Sequence, residues 1–285
     1  MNFDYKKLKN FTKLFTNRKV YDIIQMFLKI IYPRQASLKI IQGGENTNVT
    51  YVGLCGKLSV DLAVYLGQIL KNLQKRVLIA DLTEGHGLYY LFSVSEKFPV
   101  TYRNVDYIGK DFNVYAEENN EYNYILICME NNIRHILGNY LSKIYYISDT
   151  QYINFFSMVN EIKNSRMATG IIVRDVTDGG IHAQYLMKYV FMDDYLLKMY
   201  QTHRVYQIHD DLTDREYRIN MQYGDFGGFQ NLSAEFLKVL EQIAAELTGY
   251  DKKQIKYSLK YAKEGKTIEK HNILEQRFGK KRNKQ

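Results

Sequence analysis

VTYVGLCGKLSVDLAVYLGQILKNLQKRVLIADLTE, residues 49–84, decides the fold. An apolar run over Val49–Leu54 turns at Gly56-Lys57. It leads into a segment, Lys57–Leu73, whose Leu62, Ala63, Leu66, Ile69, Leu70 and Leu73 share one helical face. A second apolar run, Arg76–Ala80, ends at Asp81. Two parallel strands joined by a crossover helix are how a phosphate-binding α/β domain begins. The turn departs from the usual pattern. A phosphate loop reads G-x-x-x-x-G-K-[ST], with backbone N–H groups around the phosphates and the hydroxyl on Mg²⁺. Here Leu58 follows Gly56-Lys57, and its side chain has no oxygen for a metal.

Working outward, the strand–helix alternation continues. Gly87–Val94 reads as a short helix, and Tyr107–Ile108 and Asn113–Tyr115 as short strands. Tyr124–Met129 is a near-continuous apolar run of the kind found in a central parallel strand. Lys143–Ile147 and Ala168–Arg174 repeat it, separated by a helix near Gln151–Lys163. Val205–Ile208 is the last strand, and Ser233–Leu247 a closing amphipathic helix stopped by Gly249. The rhythm predicts a doubly wound, mostly parallel sheet flanked by helices.

The net charge of +8 is unevenly placed. Residues 1–35 are net +6 and residues 251–285 net +8, which leaves 36–250 at −6. This divides the chain into a basic amphipathic N-terminal helical extension (1–35), an α/β domain (36–250) and a basic C-terminal tail (251–285). In the extension, Phe11, Leu14, Phe15, Val20, Ile23, Ile24, Phe27, Leu28 and Ile31 keep helical spacing until Pro33, and Leu38–Gln42 reads as extended. Basic ends either contact an anionic membrane, an acidic protein or nucleic acid, or are solvated faces. Few aromatics interleave with the charges, which makes nucleic acid the weakest of these readings. No apolar run reaches membrane-spanning length and no signal peptide is expected. Two cysteines, Cys55 and Cys128, suit a reduced, cytoplasmic protein. Cys128 reads as a buried small apolar residue and Cys55 as the more exposed of the two.

With these elements in order, residues 47–249 resemble the MinD/ParA class of deviant-Walker P-loop ATPases. The class loop K-G-G-V-G-K-T-T falls on Val52-Gly53-Leu54-Cys55-Gly56-Lys57-Leu58-Ser59. RVLIADLTEGHGLYYLF is similar to the second strand and its helix, with Asp81 at the switch aspartate, and EYNYILICME to the Walker B strand. ATGIIVRDV resembles the strand carrying the adenine-contacting asparagine, and VYQIHDDLTDREYRIN the I-P-D-D segment. The resemblance implies ATP as ligand, with Gly53, Gly56, Lys57, Ser59 and Asp81 as the nucleotide-binding residues that survive. The departures are as informative. The signature lysine is Val52, the magnesium-binding threonine Leu58, the Walker B aspartate Cys128 and the adenine-contacting asparagine Arg174. Leu54 replaces the loop's second glycine and would crowd a phosphate.

Lys57 either meets a phosphate at a helix N-terminus or pairs with a nearby acid. Asp81 is either a remnant of the switch or a cap on its turn. The adjacent acids Asp193-Asp194 and Asp210-Asp211 read as helix caps or solvated groups. The six histidines have no metal-ligand spacing, and no catalytic residue or metal ligand stands out. Lost metal and catalytic groups argue against Mg²⁺ and leave weak ATPase activity at most. The expectation is a pseudo-ATPase positioning or assembly factor, a homodimer acting on a partner from secretion, pilus or cell-positioning machinery. It would be cytoplasmic, with docking to the inner face of the membrane through the basic ends. Within the class, the losses are most similar to the TadZ/CpaE branch. The alternatives are a slow ATP-dependent switch and a DNA-partitioning protein.

Overall fold

β-branched and aromatic residues concentrate in runs of three to seven residues, and these make the strands. The structure is a computed structural model. It describes residues 49–56, 58–85, 87–92, 99–109, 121–130, 141–165, 168–177, 188, 192–202, 204–223 and 229–266. The N-terminal helix read over residues 3–31, the extended piece 38–42 and the strand 113–115 lie outside the described residues.

β1 (Thr50–Cys55) leads through a short turn to α1 (Val60–Asn72) and β2 (Val77–Asp81). α2 (Gly87–Phe92), β3 (Val100–Tyr102) and β4 (Val105–Ile108) follow. Then come β5 (Tyr124–Met129), β6 (Lys143–Ser148), α3 (Tyr152–Ser165) and β7 (Gly170–Val176). α4 (Asp194–Gln201), β8 (Val205–His209), α5 (Leu212–Met221), α6 (Ala234–Thr248) and α7 (Lys252–Lys263) complete the order. The eight strands form one sheet in the order β3-β4-β2-β5-β1-β6-β7-β8. Every pairing is parallel except β3 with β4. β5 lies between β2 and β1 and is buried at all six positions, which is why its sequence does not alternate.

β3 escapes the sequence reading because it is three residues long and its turn carries no glycine. Arg103 and Asn104 both take positive φ (48° and 58°), the mirror-image turn that suits a tight hairpin. The helices α4 and α5 start at Asp193 and Asp211, whose carboxylates accept from the N–H groups of Tyr195 and Leu196, and of Thr213 and Asp214. One acid of each adjacent pair is therefore a cap, as read.

α1, α6 and α7 pack together over the sheet. Tyr65 of α1 meets the rings of Phe229 and Phe236 at 4.8 and 5.7 Å. The Ser258 hydroxyl donates to Ile69 O at 2.6 Å, and the Asn72 amide to Lys266 O at 3.1 Å. Residues 252–263, read as part of a basic tail, are a helix with its own Asp251/Gln254 capping box. Its thin apolar stripe (Ile255, Leu259 and Ala262) faces the domain, while Lys252, Lys253, Lys256 and Lys260 face water.

Candidate functional site

The turn after β1 is where a phosphate loop would stand. β1 remains in the sheet as far as Cys55, which pairs with Met129 on one side and Tyr146 on the other. The next N–H, that of Gly56, donates to Met129 O at 2.8 Å. The ladder thus takes up backbone that a phosphate loop would leave open to a ligand. Gly56 holds φ +144°, and a Cβ there would lie 2.0 Å from Ile147 O, so only glycine fits.

This register places the residues expected at the loop. Gly53 lies inside β1, opposite Ile127 and Ile144, against the Leu141 and Met129 side chains. Leu54, expected to crowd a phosphate, is fully buried beside Cys128 and Tyr145, because the strand runs through its position. Lys57 lies outside the described residues. The helix starts at Val60 rather than at Lys57, with Ser59 at the cap position but its side chain not capping. Ser59 is fully buried, turned toward Cys128 rather than outward. Cys55, read as the more exposed thiol, is buried at the end of the strand.

Cys128 sits at the end of β5, fully buried. Burial, then the charge of Asp81, push its thiol pKa up. It has the character of a core residue rather than a nucleophile. Asp81 is buried too, and its acceptor sites are occupied locally. Oδ1 accepts from the Thr83 N–H and hydroxyl at 3.0 and 2.6 Å, and Oδ2 from the Leu88 N–H at 2.9 Å. The carboxylate ties the end of β2 to the first turn of α2.

A buried ion pair stands behind the turn. Arg174, on β7, is 2% exposed, and Asp61, in the first turn of α1, is 5% exposed. Arg174 Nη1 and Nη2 donate to the two carboxylate oxygens of Asp61, each at 2.7 Å. Nη1 also donates to Leu58 O at 2.9 Å, and the guanidinium lies 4.9 Å from the Phe236 ring centre. Burial pulls the guanidinium pKa down, but the Asp61 charge and hydrogen bonds raise it overall, so it stays charged. One side chain therefore fixes the turn, the start of α1 and α6 together. Asp61 was not picked out from the sequence, yet a signal was there. An aspartate in a helix start whose neighbours are apolar, and an arginine within an apolar strand, need partners once buried.

Beside the turn, at the ends of β1, β5 and β6, is a cavity of about 400 Å³. This is the crevice where strand order reverses. Its walls include Gly56, Leu58, Ile153 and Met158, and two carboxylates, Glu130 and Asp149, face it. Asp149 is held by the Gln151 N–H and the Asn154 amide, all at 3.0 Å. No basic side chain lines the cavity among the described residues.

Solved structures share this architecture. MinD cell division protein from Aquifex aeolicus is 14% identical and covers 71% of this chain and 98% of its own, with a TM-score of 0.50. The chain has the MinD fold. The MinC:MinD cell division protein complex of the same organism matches with 13% identity, 71% and 97% coverage and a TM-score of 0.51. A ParA family ATPase from Chlorobium tepidum TLS, 10% identical, covers 75% of this chain and 98% of its own with a TM-score of 0.47. No family model and no curated protein matches the sequence. Among the described residues no helix is long and apolar enough to cross a membrane, and no cluster of His, Cys, Asp and Glu could hold a metal ion.

Proposed function

We propose that this MinD-fold chain is a pseudo-ATPase that serves as a positioning or assembly factor. The observation that carries the reading is that two backbone groups of the turn, the Gly56 N–H and Leu58 O, are bonded within the protein. The Gly56 N–H bonds into the sheet, and Leu58 O is taken by Arg174, itself neutralised by Asp61. A magnesium nucleotide fits these residues poorly. Leu58 offers no hydroxyl, Cys128 no carboxylate, and Asp81 spends its oxygens on Thr83 and Leu88. Phosphoryl transfer relies on positioned charges and metal, and those groups are the ones replaced.

Of the residues the sequence nominated, Gly56, Ser59 and Asp81 surround the turn, and Lys57 is the nucleotide contact to test. By analogy with the MinC:MinD complex, the role is to hold a protein partner, in secretion, pilus or cell-positioning machinery, as in the TadZ/CpaE branch. A homodimer is the working assembly, and the basic ends are its contacts with partner or membrane. The test pairs phosphate release with sedimentation. Release at the level of buffer, unchanged by Lys57→Ala, and an assembly state indifferent to ATP support the reading. Turnover that Lys57→Ala abolishes, with ATP-driven dimerisation, would replace it with the slow-switch alternative.

A further inference from the structure

A second cavity of about 400 Å³ lies where α6 and α7 meet the 229–232 segment, apart from the β1 turn. Its floor is Leu237 and Leu259, and its rim is Lys256, Lys260 and Lys263. The Phe229 N–H donates to Lys263 O at 3.0 Å, which brings Gln230 and Asn231 over the end of α7 to form the remaining wall. The three ammonium groups stand on one stripe of the helix, two turns long, or about 10 Å. None has an ion-pair partner among the described residues. The one carboxylate present, Glu264, is engaged elsewhere. Lys266 bonds it at 2.8 Å and is the main cause of its lowered pKa, with Lys260 contributing less. The side-chain amides of Gln230 and Asn231 likewise have no partner among the described residues.

We infer that this groove binds a soluble small molecule bearing several phosphoryl groups. Three ammonium groups face one carboxylate, Glu264, which leaves the lining at about +2, and the stripe is longer than a single phosphate needs. Lysines bind phosphate as compact point charges, whereas planar carboxylates are matched by the arginine fork, which the rim lacks. The volume of about 400 Å³ is that of a small-ligand site, and the leucine floor gives the ligand's body an apolar seat. The chain's own ends do not suit the groove. Residues 267–285 carry six bases against two acids, and residues 1–35 are net +6, the same sign as the rim.

The test is calorimetric titration of sodium tripolyphosphate into the full chain at low salt. It compares wild type, Lys256→Glu/Lys260→Glu and Lys252→Glu/Lys253→Glu. The second pair makes the same charge change on the first turn of α7, outside the groove. The groove predicts saturable binding that weakens at least about tenfold in the first variant and less than about threefold in the second. All four lysines are exposed, so folding is checked by melting, and Lys256→Gln/Lys260→Gln repeats the test without charge reversal. Equal losses in both charge-reversal variants, absence of binding to wild type, or capture by phosphatidylserine vesicles without binding of tripolyphosphate would each overturn the proposal.

Discussion

Arg174→Met is the substitution whose cost can be worked from the geometry. It removes the bidentate partner of Asp61 and leaves a carboxylate at 5% exposure with the Leu62 N–H, at 2.8 Å, as its remaining donor in the site. It also strips the donor from Leu58 O and the cation from the Phe236 ring. Breaking a buried pair on one side costs about 3–5 kcal/mol, because an uncompensated charge stays behind. For a domain of this size that lowers the melting temperature by about 6–20 °C. Asp61→Leu strands the guanidinium instead and costs a similar amount. The double variant Arg174→Met/Asp61→Leu removes both charges and fills the space with apolar groups. It should return to within about 1 kcal/mol of wild type. Urea titration of the four proteins gives the cycle directly. A single-variant cost below about 1 kcal/mol, or a double variant whose loss equals the sum of the singles, would refute the buried pair as the turn's anchor.

Other consequences follow from single contacts. Gly56→Ala drives a Cβ to 2.0 Å from Ile147 O at φ +144°, so it should cost about 3 kcal/mol or more in urea titration. Asp81→Ala frees three donors and should cost about 2–3 kcal/mol, with faster amide exchange over residues 82–92 than in the central strands. Burial and Glu246 push Tyr206 up to about 12, and burial raises Tyr65, Tyr107 and Tyr145 further. Folded-state values above the unfolded value near 10 mean that this contribution is intact below about pH 10 and is lost as pH climbs through 12. Phenolate absorbance of these four should therefore rise only together with the loss of circular dichroism. Cys55 and Cys128, both buried, should resist a thiol reagent until the chain is unfolded.

The fold was legible because its strands are apolar runs and its first crossover helix keeps one clean face. Tyr124–Met129 was placed to the residue, since a strand covered on both sides leaves no ambiguity of phase. The apolar run put Gly53 and Leu54 in β1, while the family resemblance put them in the phosphate loop. The structure follows the run, with Gly53 mid-strand and closely walled by Leu141. That register moves Leu54 from a phosphate's neighbourhood into the core. Arg174 was noticed as a departure but not as an anchor, because its partner Asp61 is 113 residues away in sequence. The stripe of α7 was visible too. Its direction, inward to α1 rather than outward to a membrane, is a tertiary fact that helical periodicity alone does not carry.

On the proposed function, the turn after β1 no longer receives a nucleotide. The direct test is calorimetry of ATP with Mg²⁺ on the Lys256→Glu/Lys260→Glu protein, in which binding at the α6–α7 groove is weakened at least about tenfold. No saturable heat that depends on Lys57 is expected at millimolar ATP. Micromolar binding that Lys57→Ala abolishes would contradict it.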